Sequence, residues 1–176
     1  MSGIKEILEK TLEGRVFECA VISTADITFS PELRAACERN LCGKYKKSWT
    51  CPPATGPVEN LKERILGFSK ALVFTTKGDL EDSFDYEGMM ETKDRHNRIT
   101  SELHESFGKT NPVFGAGSCG VCESCAYPEE CRFPDKIYFS IEAAGINVTD
   151  LSRAAGVRYN NGENTVTYFS MVLLNE

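Results

Sequence analysis

Apolar positions along the chain recur with two periods, one of a helix turn and one of two residues, and these mark out the elements. Ile4, Ile7, Leu8 and Leu12 stand at helical spacing and Gly14 follows as a C-terminal stop, which predicts a first helix. Val16 to Ser23 is short, apolar and bounded by turn residues, so it reads as a strand with Phe17, Cys19 and Val21 on one face. On that face Cys19 reads as a small buried hydrophobe. Ser30 followed by Pro31 marks the start of a short helix carrying Leu33 and Cys37, because proline in the first turn loses no hydrogen bond. A second proline start at Pro57 leads a helix with Val58, Leu61 and Ile65 inward, and Ala71 to Thr76 follows as a buried strand.

The longest helical pattern runs from Met89 to Phe107, with Met89, His96, Ile99, Leu103 and Phe107 on one face. His96 and His104 read as hydrogen-bonded core or boundary residues, and the acidic run from Asp79 to Glu87 as a solvated connection. Beyond a loop from Asn111 to Cys131, a helix is expected near Pro134 and a shorter one capped by Thr149. The turn residues Asn160-Asn161-Gly162-Glu163 predict a closing hairpin whose second strand is Thr165 to Leu174, with Val166, Tyr168, Ser170 and Val172 alternating. Interleaved helices and strands give an α/β or α+β class. The expected architecture is a single compact domain over 1–176, with a small sheet, flanking helices and cysteine-rich metal-binding loops.

Composition changes this picture in two respects. At 176 residues the chain can bury about 70 % of its unfolded surface, so its 8 cysteines are not needed as staples. The N-terminal segment is amphipathic and unlike a signal peptide, and no apolar run is long enough to span a membrane; the expectation is a soluble cytoplasmic protein without a membrane partner. A net charge of −6 argues against a nucleic-acid partner, which needs clustered Lys and Arg to neutralise phosphates.

The candidate chemistry lies in the cysteines. Cys119-x2-Cys122-x2-Cys125-x5-Cys131 places four thiols in one short segment, and three of them recur every third residue. That spacing lets one loop wrap a cube-shaped [4Fe-4S] cluster and offer successive sulfurs to different irons. Structural zinc usually takes two separated pairs that approach one ion from opposite sides, which fits a continuous run less well but stays open, as do disulfides or free thiols. Gly115, Gly117 and Gly120 would let backbone amides close on inorganic sulfide, while Arg132 and a helix start at Pro134 would favour an anionic centre. The same glycines formally match a dinucleotide fingerprint, but they run into cysteines and not into a helix. A second group, Cys37-x4-Cys42-x8-Cys51, supplies three thiols, with Pro52 and Pro53 after the last and Lys44, Lys46 and Lys47 between them. Its fourth ligand could be Cys19, a cysteine of the other group, or a solvent or substrate position.

Several of these stretches together resemble an uncharacterised prokaryotic family described as predicted metal-binding proteins, a domain of unknown function common in anaerobes. The resemblance rests on Cys42-Gly43-Lys44-Tyr45-Lys46-Lys47-Ser48-Trp49-Thr50-Cys51-Pro52-Pro53 and on Gly117-Ser118-Cys119 through Cys131-Arg132-Phe133-Pro134. It rests also on Glu142-Ala143-Ala144-Gly145-Ile146 and on Asn164-Thr165-Val166-Thr167-Tyr168. These motifs span nearly the whole chain in order. The resemblance implies metal binding through Cys37, Cys42, Cys51, Cys119, Cys122, Cys125 and Cys131; Cys19 lies outside its motifs.

Three functions are compatible with this reading. The first is a redox module passing single electrons through one or two [4Fe-4S] clusters to a redox partner protein. The second is an enzyme or metal-delivery protein with an open iron at the three-thiol group. The third is a structural zinc module whose surface binds a partner. No phosphate loop, nucleophile elbow, metalloprotease pattern or Cys-x3-Cys-x2-Cys radical-enzyme spacing assigns a reaction.

Overall fold

The fold is built on one ten-residue strand that is buried almost throughout. In this computed structural model, which describes residues 2–175 apart from the side chains of 2–5 and 7, strand β2 (Lys70–Asp79) is buried from Ala71 to Thr76. A strand buried on both faces needs partners on both edges and cover on both faces. Its edges are met by β1 (Glu18–Ser23) and β5 (Thr165–Leu174), both antiparallel. β5 in turn pairs antiparallel with β3 (Val113–Gly115), and β3 pairs parallel with β4 (Phe139–Ser140), giving the order β1-β2-β5-β3-β4. The class is α+β, a five-stranded mixed sheet with five helices.

Alternation along the strands divides the core in two. Ala71 and Val73 of β2 and Phe169, Met171 and Leu173 of β5 point to one face, where they meet Leu61 and Ile65 of α3 (Val58–Leu66) and Leu151 and Ala155 of α5 (Val148–Ala155). Leu72, Phe74 and Val172 point to the other, under α1 (Ser2–Leu12) and α4 (Tyr86–Phe107), where Leu8, Leu12, Ile99, Leu103 and Phe107 close over them. The predicted face of α4 is the buried one, although Met89 is only half-buried. Ile4 and Ile7 of the predicted first helix lie outside the described side chains.

His96 is fully buried on α4, its Nδ1 3.0 Å from Thr76 Oγ1 and its Nε2 2.7 Å from Ser170 Oγ. It is a satisfied core histidine, as expected. His104 is half-buried, with Nε2 3.1 Å from the Asp135 carbonyl.

Four expectations need correction. The face of β1 carrying Phe17, Cys19 and Val21 is exposed, while Ile22 is buried and Ala20 packs against the core. β1 is an edge strand, and α1 leaves its outer part open, so Cys19 borders a surface groove with Leu8, Leu12 and Leu72. The closing hairpin does not form among the described residues: the turn after Asn160 is present, but β5 pairs with β2 and β3. The helix near Pro134 is a single 3-10 turn, Pro134–Lys136, because the chain soon after it is drawn out as β4, Phe139–Ser140, to pair beside β3. The cap of α5 is Asn147, whose Oδ1 accepts from Thr149 N and Asp150 N at 2.9 and 3.3 Å. Among the described residues no helix is long and apolar enough to cross a membrane.

Candidate metal centre

The sheet sends its chain into two cysteine loops. The first follows α2 (Pro31–Glu38), runs through Cys42 and Cys51, and returns at α3. The second leaves the end of β3 at Gly115 and returns at β4. Gly115 is required by packing more than by any ligand, since a side chain there would collide with the Tyr138 ring and Thr100.

All 8 cysteines are free. Cys119, Cys122, Cys125 and Cys131 line one small cavity together with Trp49, Phe133 and Ile137. Burial and the three neighbouring thiols push the Cys119 thiol up, against the pull of Val121 N–H, which donates to Cys119 Sγ at 3.5 Å. Cys125 behaves oppositely: burial works against its thiolate, but N–H groups of Tyr127 and Trp49, the Ser48 hydroxyl and the Arg132 charge outweigh it and hold its pKa below the usual value. The Arg132 guanidinium folds back to donate to the Ser124 carbonyl.

Cys37, Cys42 and Cys51 form a separate group. Burial first, then its neighbour Cys42, pushes Cys37 up. Cys51 is raised mainly by burial and also by Cys42 and Cys37, while hydroxyls of Ser48 and Thr50 pull it back.

Sequence reading missed the segment that joins the two groups. Thr50, fully buried, accepts the Cys119 N–H on its Oγ1 at 2.9 Å. Ser48 Oγ lies 3.1 Å from Thr50 Oγ1, and Trp49 Nε1–H donates to the Glu129 carbonyl at 2.8 Å while its ring meets Tyr127 edge-on at 5.1 Å. The Ser48 hydroxyl also favours the thiolate form of one cysteine in each group, Cys51 and Cys125. In the sequence these residues stood out only as part of the Cys42–Pro53 stretch that carries the resemblance, directly before Cys51. Lys44 and Lys47 line a polar cleft with Cys119, Cys122 and Cys125, so two of the three lysines in the first loop face the thiols of the second.

Among the described residues no three His, Cys, Asp or Glu side chains stand close enough to hold one metal ion. A metal at either group therefore requires side-chain movement or a multinuclear core that reaches from thiol to thiol. The donor chemistry suits the second: thiols gathered on one cavity, with backbone N–H groups aimed at sulfur, match what an anionic iron–sulfur core asks of its loop.

Comparison with curated proteins and with solved structures returned no match. A family profile described as predicted metal-binding protein (DUF2284) matches residues 20–174, which takes in both cysteine groups and every strand except the first two residues of β1. On that match the chain belongs to this family of predicted metal-binding proteins.

Proposed function

We propose that the protein is an iron–sulfur protein in which Cys119, Cys122, Cys125 and Cys131 hold a [4Fe-4S] cluster and Cys37, Cys42 and Cys51 hold a second one. The observation that carries this reading is the common cavity of the four thiols, with N–H donors directed at Cys119 and Cys125. Such donors stabilise a negatively charged core and raise its reduction potential. When bound, the clusters would supply single-electron transfer.

The chain's own residues set the terms of that transfer. Thr50 and Trp49 fix the second loop against the first, so the groups keep one spacing. Ser48, within reach of Cys51 and Cys125, gives the two centres a shared hydrogen-bonding residue. Lys44 and Lys47 place positive charge beside the four-thiol group, where it offsets cluster charge and would steer an acidic redox partner protein.

The test is elemental analysis with electron-paramagnetic-resonance spectroscopy on protein purified without oxygen. A brown protein carrying iron and acid-labile sulfide that bleaches with dithionite supports the reading. Colourless protein carrying stoichiometric zinc after anaerobic reconstitution would replace it with the structural zinc module. The three-thiol group keeps a second reading in play, an open iron that binds a small molecule, because its protein thiols number one fewer than a cubane's irons.

A further inference from the structure

Near Cys37 of the three-thiol group stands a carboxylate, Glu142, with one buried oxygen that no hydrogen bond accounts for. Glu142 opens the short turn Glu142–Ala144, against which α2 packs with Cys37 near its end. The turn is held firmly. Ala143 N–H donates to Ser140 Oγ at 3.0 Å, Gly145 N–H donates to the Glu142 carbonyl at 2.9 Å, and Ala143 and Ala144 are 2 % and 0 % exposed. Gly145 closes it at φ +74°, with Val58 Cγ2 3.0 Å from where a β-carbon would stand. From this support Glu142 Oε2 is buried without a hydrogen-bond partner. A buried carboxylate oxygen left without a hydrogen bond is costly, so its place in a rigid turn points to a partner that binds there.

Arg34 of α2 makes no hydrogen bond or ion pair with Glu142, its guanidinium donating to Thr55 Oγ1 at 3.2 Å and to the Gly56 carbonyl at 2.8 Å. We propose that Glu142 supplies the fourth protein donor of the second centre, its carboxylate completing a set of three thiolates and one oxygen with Cys37, Cys42 and Cys51. This rests on the reading of that group as a cluster site. It also replaces the open iron with one carrying a hard oxygen ligand, which exchanges more readily than thiolate and is the place where a small anionic ligand would enter.

The experiment compares wild type, E142Q, E142C and C51S, each reconstituted without oxygen with ferrous iron and sulfide, desalted, and read by iron content and Mössbauer spectroscopy. Wild type is expected to hold about eight irons per chain, one of them with an oxygen-ligated signature, and C51S about four. E142Q should fall to about four as well, whereas E142C, offering a thiolate, should keep about eight and lose the oxygen-ligated component. Iron loss in E142Q that E142C restores separates a missing ligand from a misfolded turn. If E142Q keeps all its iron with an unchanged spectrum while C51S loses half, the Glu142 assignment falls and the second cluster stands. Loss in both E142Q and E142C would mark the residue as structural and overturn the assignment too. If C51S matches wild type, the second cluster itself falls, and Glu142 with it.

Discussion

The Thr50 hydroxyl accepts the backbone N–H of Cys119 at 2.9 Å, so the residue before one cysteine of the first loop holds the first cysteine of the second. Thr50 is fully buried, and valine has its shape without its oxygen. T50V should therefore leave the Cys119 N–H unsatisfied and cost about 1–3 kcal/mol, measured as a lower urea midpoint at unchanged m-value. Metal release to a chelator should quicken in parallel. A midpoint within about 0.5 kcal/mol of wild type would mean that the loops are not held together at this point.

Trp49 is the sole tryptophan and lies between the groups, against the cavity of the four thiols. Its fluorescence should be strongly quenched when the cluster is assembled and should recover when iron is stripped by a chelator. W49F removes the indole donor to Glu129 and weakens the contact with Tyr127, at about 1 kcal/mol for the hydrogen bond. Unquenched emission in iron-loaded protein would place the metal elsewhere.

The pattern of hydrophobic residues made α4 legible, because a long helix with a single buried face repeats its signal over several turns: His96, Ile99, Leu103 and Phe107 all fall inward. β1 was not legible in the same way. Phe17, Cys19 and Val21 alternate with Glu18, Ala20 and Ile22, so both faces carry apolar residues, and only the position of the strand at the sheet edge decides which is covered. The hairpin expectation failed because a turn sequence specifies a local reversal and not which strand β5 joins. At the site, the sequence spacing marked the two cysteine groups. It could not mark the contacts of Thr50 and Trp49, which are made across distant parts of the chain.

Cys19 is the cysteine that the structure sets apart, exposed on the edge strand beside the α1 groove. C19S should leave iron content and spectra at the wild-type level and shift stability by no more than about 0.5 kcal/mol. Loss of iron in this variant would bring Cys19 into a ligand set and remove the need for Glu142.

His96 makes stability depend on pH through burial. Desolvation lowers its pKa from 6.5 to about 4, overcoming a backbone interaction with Phe169 that raises it. The folded state therefore keeps the ring neutral where the unfolded chain takes up a proton. Stability from this group is full above pH 6.5 and declines as pH falls toward about 4, by roughly 3 kcal/mol in total, with no further loss below. In urea unfolding between pH 7.5 and 4, H96Q should lack this part of the slope, although losing the pairing with Thr76 and Ser170 lowers its stability at pH 7.5. Equal slopes in the two proteins would assign the pH dependence to other groups.

The two cysteine groups can be dissected because they draw on different loops and share no thiol. If each holds its own cluster, C122S should remove about four irons, abolish the signal of the four-thiol centre, and loosen the loop from Gly115 to Cys131, read as faster amide exchange there. Cys51 and its partners would keep theirs. Thr50 and Ser48 join the groups, however, so the loss should not be silent in the remaining cluster: with the second loop loosened, Ser48 loses its Cys125 partner and can turn wholly to Cys51. A stronger donor to that sulfur raises reduction potential, so the surviving centre in C122S should reduce more easily than in wild type. An unchanged potential would mean that the centres are neighbours without coupling, and unchanged iron in C122S would show that the thiols on the common cavity are not the metal site at all.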